Sequence, residues 1–190
     1  AIIQNKYITK VFLGVENIPL IEYKYLSYVD YIKNKEQYLK DIETLGYPLI
    51  IKPVSLGSSI GIKIASDYQE LLCALNYAFK YENELIIEKK LPNFKEFNQA
   101  ILETENGYKL SYIEEVININ PYLTFQDKYF PSKTKKEIPA KISKELHDEI
   151  SNLTEKIAKI LKPNGVIRID YLYDLNENKI YLNEINAIPG

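Results

Sequence analysis

The spacing of apolar and polar residues predicts three helices and three strands in the first half of the chain. Apolar residues at helical spacing predict three helices, at residues 6–16, 35–45 and 66–79. Short apolar runs predict three strands, at residues 49–52, 60–65 and 85–89. A capping box of Ser66 and Gln69 would begin the third helix. One face of the first helix collects four apolar residues, Ile8, Val11, Phe12 and Val15.

The second half of the chain has a different pattern of elements, with longer predicted strands before and after one long helix. Four strands in two hairpins are predicted, at residues 96–103, 108–116, 166–173 and 179–184. Asn106-Gly107 lies between the first two and is a strong turn signal. The helix has an apolar face of Leu146, Ile150, Leu153, Ile157 and Leu161. The whole pattern therefore predicts two α+β halves that meet near residues 91–95.

Composition and charge narrow the class of protein. The 190 residues are 46% hydrophobic and 26% charged, which is typical of a globular chain. A formal net charge of −2 with no basic stripe argues against a nucleic-acid binder. No apolar run approaches the ~20 residues of a membrane span. Since neither a signal peptide nor a second cysteine is present, a cytoplasmic protein is expected.

The single cysteine and the single histidine are not expected to act as a nucleophile or a metal ligand. Cys73 lies among Leu71, Leu72 and Leu75, which predicts a small core residue and not a nucleophile. His147 has no second histidine or cysteine to help it, which argues against a zinc site.

Candidate chemistry is concentrated in the closing hairpin. Side chains alternate along a strand, so Arg168 shares a face with Asp170, and Glu184 shares one with Asn186. A turn centred on Glu177 would put Asp170 opposite Glu184 and Arg168 opposite Asn186. Mg²⁺ prefers such carboxylate and amide oxygens, and facing carboxylates repel without a cation. A solvated face with a salt bridge from Arg168 is the alternative, and the motif alone leaves both open.

Arg168 is also the only arginine, since the other 23 basic residues are lysines. Its planar guanidinium can bind a carboxylate or phosphate through two hydrogen bonds, which lysine cannot do. This favours a specific role for Arg168. The alternative is that the single arginine occupies this position by chance.

The segment Gly57-Ser58-Ser59-Ile60-Gly61 suggests a phosphate-binding loop. Glycines let successive backbone N–H groups turn toward an anion, and Lys52 ends the preceding strand as a candidate phosphate ligand. The Gly-Lys-Ser/Thr ending of a Walker loop is absent. The irregular, lysine-rich stretch 118–139 is too long for an ordinary connector and is a candidate lid. Together these features favour a Mg-nucleotide site between the two halves.

The order of these motifs resembles the D-alanine:D-alanine ligases of the ATP-grasp superfamily. The matching segments are residues 47–53, 57–61, 87–89 with Glu96, 127–129, 165–170 and 183–190. The resemblance implies an α+β ATP-grasp fold, in which two subdomains with mostly antiparallel sheets enclose a nucleotide. Subdomain 1 would span residues 1–94 and subdomain 2 residues 95–190.

The resemblance also implies which residues bind ATP. Lys6 and Lys52 would bind its phosphates, joined by Lys128 when the lid closes. Ser58 and Ser59 would lie in the phosphate loop, and Ser58 would help to order the lid. The adenine would be bordered by Glu88, Lys89 and Leu91. The hydroxyl groups of the ribose would be bound by Glu96.

Other matched positions would serve the reaction itself. The ligands of two Mg²⁺ ions, or of Mn²⁺ in their place, would be Asp170, Glu184 and Asn186. Arg168 and the backbone N–H of Gly190 would stabilise the oxyanion of a tetrahedral intermediate. Tyr129 in the lid favours an amine as acceptor, which is D-alanine, with D-serine left open.

The reaction that this resemblance implies has two steps and serves peptidoglycan synthesis, and with it cell-wall biogenesis and cell shape. The carboxylate of one D-alanine attacks the γ-phosphate of ATP to give D-alanyl phosphate. The amine of a second D-alanine then displaces phosphate. ATP and D-alanine would be the small-molecule partners, no nucleic acid or membrane is expected, and a homodimer is compatible with the sequence.

The chain also departs from the family pattern. It matches no part of the N-terminal domain that binds the first D-alanine, and it ends before residues that bind the second. We therefore expect a truncated enzyme whose 190 residues alone bind Mg-ATP without turnover, and the missing initiator methionine agrees with this. Two alternatives remain, a different ATP-grasp carboxylate-amine ligase and a non-catalytic nucleotide-binding module.

Overall fold

The structure is a computed structural model that describes residues 2–118 and 134–187. The helices of this part of the chain are α1 (Lys6–Val15), α2 (Tyr28–Lys33), α3 (Lys35–Glu43), α4 (Tyr68–Ala78) and α5 (Lys144–Leu161). The strands are β1 (Tyr23–Ser27), β2 (Leu49–Pro53), β3 (Lys63–Ala65), β4 (Glu84–Lys89), β5 (Phe94–Thr104), β6 (Gly107–Leu110), β7 (Glu114–Asn118), β8 (Thr134–Glu137), β9 (Val166–Asp174) and β10 (Lys179–Asn186).

The strands form two antiparallel sheets. One has the order β1-β4-β2-β3, and the other has the order β10-β9-β5-β7-β8 with β6 paired to the end of β5. This confirms the α+β prediction with mostly antiparallel sheets. Among the described residues, no helix combines the length and the apolar character that crossing a lipid bilayer requires.

The chain divides into two compact units, which are described separately. The N-terminal unit comprises Asn5–Tyr7 and Ile21–Pro92. The C-terminal unit comprises Ile8–Leu20 and the described residues from Asn93 onward, together with Ile2–Gln4.

Burial alternates along the central strands of the N-terminal unit. Leu49 and Ile51 on β2 pack with apolar residues of α3 and α4 in one core, whereas Ile50 and Lys52 point to the other face. Strand β1 and the short helix α2 have no counterpart in the predicted elements. Helix α2 begins after the N-cap Ser27, whose hydroxyl accepts a hydrogen bond from the backbone N–H of Asp30, the third residue of the helix.

Helix α4 begins one residue later than the predicted capping box. The N-cap is Asp67, whose Oδ1 accepts from the backbone N–H of Glu70 at 2.8 Å. The Glu70 carboxylate in turn accepts from the N–H of Ser66 at 2.7 Å. A carboxylate is a strong N-cap acceptor, so Asp67 takes the position that the pattern assigned to Ser66.

Cys73 is exposed, so its prediction as a core residue is wrong. The buried positions on α4 are Leu71, Ala74, Leu75 and Ala78, which recur at helical spacing on one face. Cys73 lies between two of them in the sequence and on the opposite side of the helix.

The core of the C-terminal unit lies between α5 and the sheet of β5, β9 and β10. Ile150, Leu153 and Ile157 of the predicted apolar face are buried against it. Tyr171 on β9 is fully buried, and its hydroxyl hydrogen-bonds with Thr154 on α5 at 2.8 Å. This contact satisfies both buried hydroxyl groups and joins the helix to the sheet.

The predicted apolar face of α1 is exposed. The buried residues of this helix are Thr9, Lys10 and Leu13. The four residues of the apolar stripe are all solvent-accessible: Ile8, Val11, Phe12 and Val15. The periodicity therefore identified the helix but not the side that packs on the unit.

The strand predicted at residues 108–116 is divided. Strands β6 and β7 both pair with β5, but their registers differ by one residue. Ser111 lies at the break, where its hydroxyl accepts from the N–H of Ala100 at 3.0 Å and donates to the carbonyl of Tyr112 at 2.7 Å. The hydroxyl replaces ladder bonds that the irregular backbone loses.

Two further boundaries differ from the prediction. The hairpin turn lies at Glu105 and Asn106, because Thr104 pairs directly with Gly107, which has φ +112°. Residues 134–137 of the predicted irregular stretch form β8, which pairs with β7. The other residues of that stretch from 119 to 133 lie outside the described part.

The strand predicted from residue 60 begins only at Lys63. Ser58 and Ser59 have left-handed φ values of 54° and 59°, and Gly61 has φ +74°, so the backbone turns here instead of extending. A Cβ atom on Gly61 would lie 2.6 Å from Cγ of Pro53. Position 61 therefore requires glycine for both conformation and space.

We expect Gly61→Ala to lower the free energy of unfolding by about 1–3 kcal/mol, because alanine is strained at this φ and would contact the Pro53 ring. Urea denaturation measures the change. Gly57→Ala is the matched control, since Gly57 is exposed in the same loop with nothing within 4 Å of an added Cβ. Equal effects of the two substitutions would contradict this account.

Candidate functional site

The closing hairpin has the cross-strand register that the sequence predicts around its charged residues. Asp170 on β9 lies opposite Glu184 on β10, and Arg168 lies opposite Asn186. The rest of the hairpin is offset by one residue, because the register shifts between Leu182 and Glu184. This bulge re-aims the end of β10, so that Glu184 faces Asp170 on the same side of the sheet.

Arg168 binds Asp170 through two hydrogen bonds. Its Nε donates to Oδ1 at 2.7 Å and its Nη2 donates to Oδ2 at 3.0 Å. Asn186 adds a third, from Nδ2 to Oδ2 of Asp170 at 2.9 Å. The salt bridge that the sequence left open as an alternative is therefore present.

Burial and neighbouring charges oppose each other at Asp170. Burial raises the pKa of Asp170 above the usual value, and the charge of Glu184 adds to this, whereas hydrogen bonds from Arg168 and Asn186 act in the opposite direction. The hydrogen bond between Arg168 and Asp170 also raises the pKa of the Arg168 guanidinium. The network is a pair of carboxylates with one guanidinium on the same face.

The donor set at this hairpin is compatible with a hard divalent cation. Two carboxylates and one amide oxygen are oxygen ligands of the kind that Mg²⁺ prefers. Asp170 is 6% exposed and feels the charge of Glu184, so a cation next to both would relieve their repulsion. Among residues 2–118 and 134–187 there is no cluster of three or more His, Cys, Asp or Glu side chains that could hold a metal.

In the N-terminal unit, Lys52 forms a buried ion pair. Its Nζ lies 2.6 Å from Oε2 of Glu88, and the two side chains are 13% and 2% exposed. Lys52 on β2 and Glu88 on β4 are diagonal neighbours on the face opposite the core, because Ile50 is the direct partner of Glu88. The family resemblance implies separate roles for these two residues, Lys52 at the phosphates and Glu88 at the adenine. The structure shows that their side chains are in direct contact.

Lys6 contacts the backbone just before the candidate phosphate loop at two points. Its backbone N–H donates to the carbonyl of Val54 at 3.0 Å, and its Nζ donates to the carbonyl of Leu56 at 2.5 Å. The loop continues into the left-handed residues Ser58 and Ser59. The first residue of α1 is thus joined to the chain that leads into the segment proposed for phosphate binding.

The other predicted site residues are distributed as follows. Lys89 is exposed at the end of β4, and Leu91 is 8% exposed shortly after it. Glu96 is half-buried on β5 in the C-terminal unit. Three predicted residues lie outside the described part of the chain, namely Lys128, Tyr129 and Gly190.

Comparison with protein families matches residues 12–190 to the family described as D-ala D-ala ligase C-terminus. The chain belongs to this family. It is 36% identical over 192 residues to a D-alanine--D-alanine ligase of Thermosipho africanus, covering 98% of this chain and 50% of the relative. It is 32% identical over 191 residues to one of Caldicellulosiruptor bescii, covering 100% and 52%.

The family membership extends to solved structures. The VanG D-Ala:D-Ser ligase of Enterococcus faecalis superimposes with a TM-score of 0.85 at 29% identity, covering 100% of this chain and 54% of that one. The fold is accordingly the α+β ATP-grasp fold, as predicted. The chain spans about half the length of the curated relatives that it matches.

Two residues of this family member were not predicted to belong to the site. Asn98 on β5 lies opposite Asp170, and Glu114 on β7 lies opposite Asn98. Asn98 donates from Nδ2 to Oε1 of Glu114 at 3.2 Å, and Lys136 approaches the same oxygen at 3.1 Å. Alternation from Glu96 along β5 would have pointed to Asn98, but its neighbours on β9 and β7 become visible only when the strands are paired.

We expect Lys52→Met to lower the free energy of unfolding by about 3–5 kcal/mol, because it leaves the buried Glu88 carboxylate without its ammonium partner. The double variant Lys52→Met/Glu88→Leu should recover most of this loss, since both charges are then removed. Urea denaturation of the single and double variants gives both values.

The control is Lys24→Met, which removes a contact of equal length. Lys24 Nζ also lies 2.6 Å from a carboxylate, that of Asp41, but the two side chains are 30% and 47% exposed. Solvent screening should limit this loss to about 1 kcal/mol or less. A larger loss for Lys24→Met than for Lys52→Met would contradict the assignment of a buried pair.

Proposed function

We propose that this chain supplies the ATP-binding and cation-binding parts of a ligase that joins two D-alanines with conversion of ATP to ADP. The observation that carries the proposal is the register of β9 and β10, which sets Asp170 opposite Glu184 next to Arg168 in a member of the D-Ala ligase family. The relatives named above support D-alanine as the substrate. Cytoplasmic peptidoglycan synthesis would be the process served.

The acidic hairpin would hold Mg²⁺ through Asp170, Glu184 and Asn186, with two ions expected and Mn²⁺ as an alternative. A bound cation offsets the negative charge of phosphate oxygens, which would otherwise repel an attacking carboxylate. The two facing carboxylates and the amide oxygen are the features of this chain that support the assignment.

Lys52 and Lys6 would bind the phosphates of ATP. Lys52 is held by Glu88, and Lys6 is held against the loop that carries Ser58 and Ser59. Both ammonium groups are therefore positioned before a ligand arrives, which reduces the side-chain entropy lost on binding. Lys128 would join them from the lid.

The base and sugar of ATP would contact residues at the ends of strands. Glu88, Lys89 and Leu91 would border the adenine, and Glu96 would bind the ribose hydroxyls. Because the carboxylate of Glu88 already pairs with Lys52, we propose that part of the polar recognition of adenine uses the backbone of this segment. The two subdomains would be residues 1–94 and 95–190.

Arg168 would act on the reacting groups. Its guanidinium and the backbone N–H of Gly190 would stabilise the oxyanion that forms when the second amine attacks, a contribution of about 3 kcal/mol for each donor in comparable sites. Ser58 would help to order the lid, which would keep water from hydrolysing the acyl phosphate.

A second candidate differs in the acceptor. The superimposable structure from Enterococcus faecalis is a D-Ala:D-Ser ligase, which supports D-serine as an alternative second substrate. Tyr129 favours D-alanine. A homodimer is compatible with either function.

We expect Glu184→Gln to abolish the Mg²⁺-dependent part of ATP affinity while the fold is kept, because one anionic ligand of the cation is lost. Calorimetric titration of the 190-residue chain with ATP, with and without Mg²⁺, measures this. Glu105→Gln is the matched control, since Glu105 is an exposed turn residue of the same unit. Unchanged Mg-ATP affinity in Glu184→Gln would show that the acidic pair is not the cation site and that its role is structural.

We expect ATP to release phosphate in response to D-alanine and not L-alanine, in the protein that carries this chain in full. A response to D-serine that exceeds that to D-alanine would favour the second candidate. Stimulation only by an unrelated carboxylate would refute both. The 190 residues alone should bind Mg-ATP without making dipeptide, so efficient dipeptide synthesis by them would also count against the proposal.

A further inference from the structure

A row of polar side chains crosses four adjacent strands of the larger sheet. Glu184, Asp170, Asn98 and Glu114 are successive direct partners on β10, β9, β5 and β7. Directly paired residues point to the same face of a sheet, so this row lies on one surface. The positively charged side chain of Arg168 lies next to the centre of this row, two residues before Asp170 on β9.

Donors of this chain form three hydrogen bonds with the carboxylate of Asp170, so both of its oxygens are already bonded. Arg168 uses Nε and Nη2, one for each oxygen, and Asn186 donates to Oδ2. A divalent cation at Asp170 would need lone pairs of these same oxygens. It would also need the carbonyl oxygen of Asn186, whose amide now presents its NH₂ group to Asp170.

Arg168 also borders a cavity whose lining includes a different acceptor. The cavity has a volume of about 210 Å³, and Arg168, Asn98 and Glu114 are among the residues that line it. Asn98 is 6% exposed, and its Oδ1 has no hydrogen-bond partner within the described part of the chain. Such a buried acceptor requires a donor from a ligand, a water or a moving side chain.

The orientation of the Asn98 amide is determined by its neighbour. Glu114 has only acceptors, so the NH₂ group of Asn98 must point to it, as the 3.2 Å contact shows. Lys136 holds the same carboxylate oxygen of Glu114 at 3.1 Å. The carbonyl oxygen of Asn98 is consequently kept as an acceptor and cannot exchange places with the NH₂ group.

We propose that the guanidinium of Arg168 has two positions, one on Asp170 and one on Oδ1 of Asn98, and that a divalent cation at the acidic hairpin shifts it from the first to the second. This rests on the proposed function, in which Asp170 and Glu184 hold the cation. In the cation-free protein Arg168 offsets the repulsion between the two carboxylates. When the cation takes over that task, it repels the guanidinium and replaces its hydrogen bonds to Asp170.

The consequence is that Arg168 becomes available only when the cation is bound. Its positive charge then lies toward the cavity, and the proposed oxyanion of the reaction would meet an arginine that is no longer neutralised by Asp170. Asn98 is a positioning residue in this scheme, because it acts through Arg168.

The single arginine makes the shift directly measurable. In protein labelled only with ¹⁵N-arginine, the one side-chain Nε–Hε signal belongs to Arg168. We expect millimolar Mg²⁺, added alone without nucleotide, to move this signal in a saturable manner. Mn²⁺ in a parallel titration should broaden the signal, which reports a cation bound nearby without requiring any movement.

Asn98→Ala tests the second position. It should reduce the Mg²⁺-induced displacement by about half or more, because the buried acceptor is removed. The signal of the cation-free variant should match that of the unmodified protein, which verifies that the fold and the Arg168–Asp170 contact are kept. Asn106→Ala, in the exposed turn after β5, is the control and should behave like the unmodified protein.

Broadening by Mn²⁺ without any displacement by Mg²⁺ would overturn the proposal, since the cation would bind while Arg168 stays on Asp170. Absence of both responses would overturn it as well. A displacement that Asn98→Ala leaves unchanged would refute the second position. Mg²⁺-dependent ATP affinity, measured separately, distinguishes these failures from failure of the proposed function, because that function survives if the affinity persists and Glu184→Gln removes it.

Discussion

The buried carboxylate of Asp170 is the constraint on which the larger sheet and its chemistry depend. A charged group at 6% exposure must be hydrogen-bonded, and β9 and β10 meet this need with Arg168 from the same strand and Asn186 from the next. The register that delivers these donors also sets Glu184 opposite Asp170. The same pairing thus satisfies a buried charge and assembles a set of oxygens suited to a cation.

The N-terminal unit solves a similar problem with different residues. Glu88 is nearly inaccessible on the second face of the smaller sheet, and Lys52 neutralises it across the strands β2 and β4. Lys6 adds a local connection to the loop after β2. In each unit, the groups proposed for ligand binding already have structural partners, so ligand binding at these positions exchanges one set of contacts for another.

The comparison of sequence and structure separates local from nonlocal signals. Helical spacing identified α5 with its buried face, and alternation identified the closing hairpin with its facing pairs. The same reasoning missed β1 and assigned Cys73 to the core. It also gave no indication that the apolar stripe of α1 would be exposed. Periodicity shows that an element has two faces, but which face is buried depends on what packs against it.

By itself, the sequence determined the family, the α+β class and the identity of the charged residues at the hairpin, because these depend on residue type and on order along the chain. Tertiary structure alone decided the contacts between strands that are distant in sequence. It paired Lys52 with Glu88, and it aligned Asn98 between Asp170 and Glu114. The physical reason is that register and burial arise when strands pair, and a one-residue bulge, such as that before Glu184, changes which side chains meet.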